Sequence, residues 1–154
     1  MDEIIYRKSG LTDVIRLIEL RKQQLQEEGA EAITELAGPL HDYYVRHFND
    51  NTFISWLGID NETIIATSGV SLVEKPPYYG NETGRIGIVS SMYTLKPYRR
   101  KGVAKKLLGL IVHEAKEHGC GIVQVTASDM GALLYQDFGF ERKSHYFQYK
   151  YRNT

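Results

Sequence analysis

Arg99-Arg100-Lys101-Gly102-Val103-Ala104 decides the reading of this chain. The run opens an amphipathic stretch, Val103 to His118. There Ala104, Leu107, Leu108, Ile111 and Ala115 fall on one helical face, and Lys105, Lys106, His113 and Glu117 fall away from it. The first N–H groups of a helix have no partners within it, and the helix dipole adds partial positive charge at that end. Gly102 carries no side chain to fend off a ligand, and Arg99, Arg100 and Lys101 add full charges. The segment is therefore expected to hold a phosphate or pyrophosphate. It has neither the P-loop spacing nor GxGxxG. Read alone, it could also be a basic helix start on a solvated surface.

Upstream, Arg85 to Thr94 reads as a strand that ends before Pro97. Further upstream, Phe53 to Ile59 and Thr63 to Val73 read as a hairpin turning at Asp60-Asn61-Glu62. Ile4 to Arg7 reads as a first strand, with Thr12 as the cap of a following helix that Gly29 stops. Glu31 to Phe48 reads as a second helical region interrupted at Gly38-Pro39, where Pro39 suits the first turn of a new helix. Downstream, Gly119 stops the long helix and Ile122 to Val125 is a strand. Ser128 or Asp129 caps a short helix ended by Gly139, and a terminal strand from Phe140 includes Tyr146-Phe147-Gln148-Tyr149. The order is β, α, α, β, β, β, α, β, α, β, which predicts a mixed α/β (α+β) sheet with helices packed on it.

Composition bounds the function. The chain has 154 residues, 42% hydrophobic and 25% charged, which suits one globular domain. Lysine plus arginine balance aspartate plus glutamate at 19 each, which argues against a nucleic-acid partner. No apolar run approaches the length of a membrane span, and the acidic start Met1-Asp2-Glu3 is unlike a signal peptide. A lone cysteine, Cys120, allows no internal disulfide and no CxxC metal site, so a cytoplasmic protein without metal is expected.

A second segment, Leu134-Tyr135-Gln136-Asp137-Phe138-Gly139-Phe140, follows the strand after the long helix. In a chain with 11 tyrosines, Tyr135 alone would pass for a core residue. Taken together, Arg99-x-x-Gly102-x-Ala104 resembles the (Q/R)xxGx(G/A) signature of the GNAT superfamily of N-acetyltransferases, and Leu134 to Phe140 resembles its LYxxxGF ending. Their separation and the element order agree with that family. Ser128-x-x-Gly131 stands where many members have Asn and Ala.

The resemblance implies a single GNAT-like domain over residues 1–154. Its mixed, mostly antiparallel sheet would have six or seven strands, flanked by about four helices. It implies acetyl transfer from acetyl-CoA to a primary amine of a small molecule or peptide, by direct attack through a tetrahedral intermediate. It also implies a pyrophosphate on the N–H groups from Arg100 to Ala104, including Lys101, Gly102 and Val103, with Arg99 and Ser128 among the cofactor contacts. Further, it implies a pantetheine arm along Met92-Tyr93-Thr94, with an N–H near Met92 or Tyr93 facing the thioester oxygen, and Tyr135 protonating the leaving sulfur. The glutamate that some members carry on the cofactor strand has no counterpart in Ile88-Val89-Ser90-Ser91-Met92. Glu74, Glu82, His41 and His47 are bases by chemistry only. Tyr43, Tyr44, Tyr78 and Tyr79 are expected in an acceptor pocket, in the core, or on a homodimer surface. A non-catalytic CoA-binding sensor or interaction module of the same fold is the alternative.

Overall fold

The computed structural model describes residues 3–143 and 145–151. Strand β1 (Ile5–Lys8) leads through a short 3-10 turn (Leu11–Asp13) into α1 (Val14–Glu27), and α2 (Ala37–Asn49) follows. Then come β2 (Phe53–Ile54), β3 (Trp56–Asp60), β4 (Thr63–Glu74) and β5 (Arg85–Thr94). A second 3-10 turn (Lys96–Tyr98) precedes α3 (Val103–Glu117), β6 (Ile122–Val125) and α4 (Ala132–Phe138). The sheet has six strands in the order β1-β3-β4-β5-β6, with β2 beside β4. Every pairing is antiparallel except β5 with β6, which α3 joins as a crossover.

The helices cover both faces. On one, Val14, Leu17 and Leu20 of α1 and Tyr44 of α2 pack on Phe53, Leu57 and Tyr93. On the other, Leu108, Ile111 and Ala115 of α3 and Tyr135 of α4 pack on Val70 and Val89. Leu107, Leu108 and Ile111 are fully buried, so the apolar face of α3 anchors it at about 1.5–3 kcal/mol for each such side chain. Gly87 lets the helix sit close to the sheet. A Cβ there would come within 3.0 Å of Val70 Cγ2 and 3.1 Å of Ala115 Cβ.

Four expectations change. The second helical region starts at Ala37 rather than Glu31 and runs unbroken through Gly38-Pro39. The start of α1 is tied down by Asp13 rather than Thr12: Asp13 Oδ2 accepts the Gly10 N–H at 2.9 Å, and both carboxylate oxygens accept from Arg7. A carboxylate has two oxygens, so it takes a bidentate guanidinium and a backbone N–H together, and a threonine has only one. The run Phe53 to Ile59 is two strands, because Ser55 leaves the ladder between β2 and β3. The terminal strand is absent among the described residues, and Tyr146, Phe147, Tyr149 and Tyr151 are exposed. Alternation there is genuine, but a strand also needs a neighbouring edge for its backbone groups, and local pattern does not supply one.

Tyr43 and Tyr44 belong to packing. Tyr44 is buried, and rings of Tyr43, Tyr44, Phe48 and Phe53 lie 5.5–6.0 Å apart. Tyr43 Oη shares a 2.6 Å hydrogen bond with Ser71 Oγ. Tyr78 and Tyr79 stand exposed in the β4–β5 loop.

Candidate active site: a parted sheet and an uncapped helix

β5 pairs with β4 as far as Thr94↔Ala66, but with β6 only as far as Val89↔Val125. Beyond Val89, β5 therefore keeps a strand on one side and, among the described residues, has none on the other. The departure coincides with a β-bulge. Between Thr67↔Tyr93 and Gly69↔Ser90 the register slips, and Ser91 takes a left-handed φ of 58°. Such a conformation in a non-glycine residue needs support from its surroundings. Thr67 Oγ1 donates to the Ser91 carbonyl at 2.8 Å, and Gln24 Nε2 donates to the Met92 carbonyl at 3.2 Å. A bulge also raises local twist, which turns the end of β5 away from β6.

After β5, the 3-10 turn Lys96–Tyr98 leads into the basic turn. Gly102 has φ 82° and precedes Val103, and no side chain caps α3. A Cβ on Gly102 would meet nothing within 4 Å, so open space lies beside the backbone at the start of α3. Val103 is buried and locks the helix start to the sheet, whereas Arg100 and Lys101 are exposed.

Arg99 is used differently from its neighbours. Its Nε donates to the Thr94 carbonyl at 2.7 Å, and Nη2 pairs with Glu27 at 3.2 Å. The guanidinium carbon lies 5.6 Å over the Tyr93 ring. Its charge is thus turned back onto the strand and α1, and it braces the turn. The Tyr93 hydroxyl accepts from Gln23 Nε2 at 2.8 Å. Burial raises the Tyr93 phenol above its ordinary range, and Glu27 adds to the effect. Glu27 is held below the usual carboxylate range, first by the Tyr93 hydroxyl and further by Arg99.

Tyr135 is buried on α4, edge-on to Phe140, with ring centroids 5.6 Å apart. Burial pushes its phenol up to about 12, with a smaller push from the negative charge of Glu28. Ser128 Oγ accepts the Gly131 N–H at 3.2 Å, so this hydroxyl helps start α4. Met92 packs against the same apolar cluster as Tyr135. The second motif thereby packs with Met92, the strand residue just past the bulge at Ser91.

The other ionisable candidates lie elsewhere. Glu74 and Arg85 face each other at the opposite end of β5 from Thr94, 3.8 Å apart. Glu82 is exposed in the loop between β4 and β5. His47 bonds Thr52 at 2.5 Å. His41 lines a groove of about 770 Å³ between α1 and α2, which reaches Gln23. Burial raises the thiol of Cys120, as expected of a structural cysteine. Among the described residues no cluster of histidine, cysteine or carboxylate could hold a metal, and no helix is long and apolar enough to cross a membrane.

The end of α1 escaped sequence reading. Gln23, Gln24, Glu27 and Glu28 all take part in the contacts around the bulge or the turn. A signal existed: Gln24 falls on the stripe of Leu17 and Leu20 and is itself buried. An amide on an apolar stripe must find partners, and that requirement marks it.

Comparisons agree with this geometry. The model of the acetyltransferase (GNAT) family matches residues 15–140. No curated protein sequence matches the chain. A predicted acetyltransferase from Clostridium acetobutylicum, whose crystal structure is with acetyl-CoA, is 32% identical, with TM-score 0.93 over 96% of each chain. A GCN5-related N-acetyltransferase from Ralstonia eutropha JMP134 is 20% identical, with TM-score 0.88 over 96% of this chain and 99% of that one. An aminoglycoside N-acetyltransferase in complex with CoA shares the fold at 17% identity and TM-score 0.77, over 98% and 96%. With its parted strands, uncapped helix and buried tyrosine, the chain belongs to the GNAT family of acetyltransferases.

Proposed function

We propose that this chain, as one domain over residues 1–154, moves an acetyl group from acetyl-CoA to a primary amine of a small molecule or peptide. The observation that carries the reading is the continuity of three features: the β5 edge freed beyond Val89, the bulge at Ser91, and the uncapped start of α3 at Gly102. An extended arm ending in a pyrophosphate fits that sequence of surfaces. The relatives crystallised with acetyl-CoA and with CoA point to the same donor.

The N–H groups of Arg100, Lys101, Gly102, Val103 and Ala104 hold the pyrophosphate, since a helix start favours an anion through its dipole and its first N–H groups. Arg99 fixes the turn. The main chain of Met92, Tyr93 and Thr94 holds the pantetheine arm. The Met92 and Thr94 carbonyls already accept from Gln24 and Arg99, so this edge is oriented in advance. An N–H near Met92 or Tyr93 faces the thioester oxygen. Charge grows on that oxygen as the carbonyl becomes tetrahedral, so a fixed donor favours the transition state over the ground state. Ser128 already accepts from Gly131, and its O–H is left to donate toward the cofactor.

The neutral amine attacks the carbonyl carbon, the C–S bond breaks, and Tyr135 hydrogen-bonds or protonates the departing sulfur. A phenol near 12 giving its proton to a thiolate near 8.5 is uphill by about 5 kcal/mol at reference thiol values. Full transfer therefore needs the same dry surroundings to raise the basicity of the thiolate. The contribution of Tyr135 is a donor that stays neutral at every working pH.

The acceptor approaches along the end of α1 and the groove between α1 and α2. The exposed C-terminal rings favour a homodimer. Cytoplasmic, metal-free operation on such an amine, away from nucleic acid and membranes, fits the balanced charge. An amine-panel assay with acetyl-CoA that reads free thiol tests the reading. Turnover with at least one primary amine is expected. CoA binding without thiol release across a broad panel would favour a sensor of the same fold.

A further inference from the structure

Gln24 is buried, yet its amide is fully employed. Its Oε1 accepts from Arg21 at 3.1 Å, and its Nε2 donates to both the Met92 carbonyl and Glu28 Oε1, at 3.2 and 3.1 Å. One side chain thus ties the carboxylate at the end of α1 to the bulge of the cofactor strand. The neighbouring carboxylate, Glu27, is taken up by Arg99 and Tyr93. Glu28 instead receives a neutral amide, which orients it without cancelling its charge, and it is exposed. Through Gln24, Glu28 is therefore held one side chain away from Met92, on the strand that would present the thioester. Its negative charge also contributes to the upward push on the Tyr135 phenol.

We infer that Glu28, oriented by Gln24 against the β5 bulge, is the carboxylate that receives the ammonium group of the acceptor beside the thioester. This rests on the amine-acceptor reading above. An alkylamine arrives mostly as its cation at neutral pH, and a carboxylate fixed beside the reacting carbon collects that form and sets the nitrogen in place. The nitrogen must then lose one proton before it attacks, which leaves through Glu28 to solvent. After attack it carries one excess proton again. Tyr135 gives its proton to sulfur as the C–S bond breaks, and the excess proton on nitrogen restores the phenol. One proton per turnover is released, and the acceptor class is a cationic aliphatic amine.

The test compares Glu28→Gln with wild type on two acceptors: butylamine, a cation at neutral pH, and aniline, uncharged there. Glu28→Gln keeps an oxygen to accept from Gln24, so the bulge support survives. The expected result is a KM for butylamine raised about tenfold, with the KM for acetyl-CoA and the kinetics with aniline unchanged. Glu117→Gln, which removes the same charge from the exposed face of α3, is expected to match wild type. Equal loss on both amines, or no loss on butylamine, overturns the assignment. Butylamine binding to the CoA complex, followed by NMR titration, separates this proposal from the reaction itself. If no amine is turned over but wild type binds butylamine about tenfold more tightly than Glu28→Gln, acetyl transfer fails and the ammonium site stands. Equal binding overturns the site whatever the assay shows.

Discussion

The Arg99 guanidinium lies 5.6 Å over the Tyr93 ring while its Nε donates to the carbonyl of Thr94, the last residue of β5. The cation that the motif seemed to offer to a phosphate is thereby spent on holding the cofactor strand to the turn that follows it. A planar guanidinium can stack and donate along its edge together, and an ammonium cannot. Arg99→Lys is therefore expected to keep the fold but loosen the turn, raising the KM for acetyl-CoA several-fold with kcat little changed. Steady-state kinetics with varied donor check this, and an unchanged KM would leave Arg99 a surface residue.

Gly102 supplies the opposite kind of constraint. With φ at 82°, an L side chain there is strained, and the space a Cβ would fill is open. Gly102→Ala is expected to cost about 1 kcal/mol of stability from backbone strain alone. Its effect on donor binding should be larger, because in the proposed binding mode the methyl group would stand where the pyrophosphate approaches. Thermal melts with and without CoA separate the two: a modest fall in the Tm of the free protein, and loss of most of the rise that CoA gives the wild type.

Tyr135 carries three predictions, the last two from its burial. Tyr135→Phe is expected to lower kcat about a hundredfold, at the low end of acid–base help. Since burial holds the phenol near 12, its ionisation falls above the working range. The pH–rate profile of the wild type should therefore rise with deprotonation of the amine and show no alkaline limb from this residue below about pH 11. The linkage has a definite sign. The unfolded phenol ionises near 10 and the folded one near 12, so the stability of wild type relative to Tyr135→Phe is fully present below pH 10. It is lost as pH rises from 10 to 12, by up to about 3 kcal/mol. Urea unfolding of both proteins across that interval checks it. Parallel curves would place Tyr135 in ordinary solvent contact.

Much of this was legible in the chain. Arg85 to Thr94 and Ile122 to Val125 are the observed bounds of β5 and β6, because each is an apolar run bounded by turn residues. The turn at Gly102 was readable because its two requirements, a glycine and an uncapped helix, are local. The bulge at Ser91 was not. Nothing in Val89-Ser90-Ser91-Met92 demands a left-handed serine, and its supports Thr67 and Gln24 lie on other elements. The end of α1 was missed for the same reason. Gln24 and Glu28 acquire meaning only once α1 is laid against β5. The terminal strand fails in the other direction, since its alternation is local while its pairing is not.

That unpaired terminus carries the last prediction. Tyr146, Phe147, Tyr149 and Tyr151 are 76–96% exposed. Four large rings facing water within one short segment exceed the scattered exposure expected of a monomer surface. Among the described residues, β6 has β5 on one side only in the sheet order. An open sheet edge and an unpaired aromatic segment on the same chain are complementary between two copies, which is the basis for expecting a homodimer. Light scattering should give twice the mass of the 17.6 kDa chain. Phe147→Ser with Tyr149→Ser should shift it toward the monomer while the far-ultraviolet circular dichroism stays the same, since neither ring packs in the core. A monomeric wild type, or a dimer indifferent to both substitutions, would place the association elsewhere.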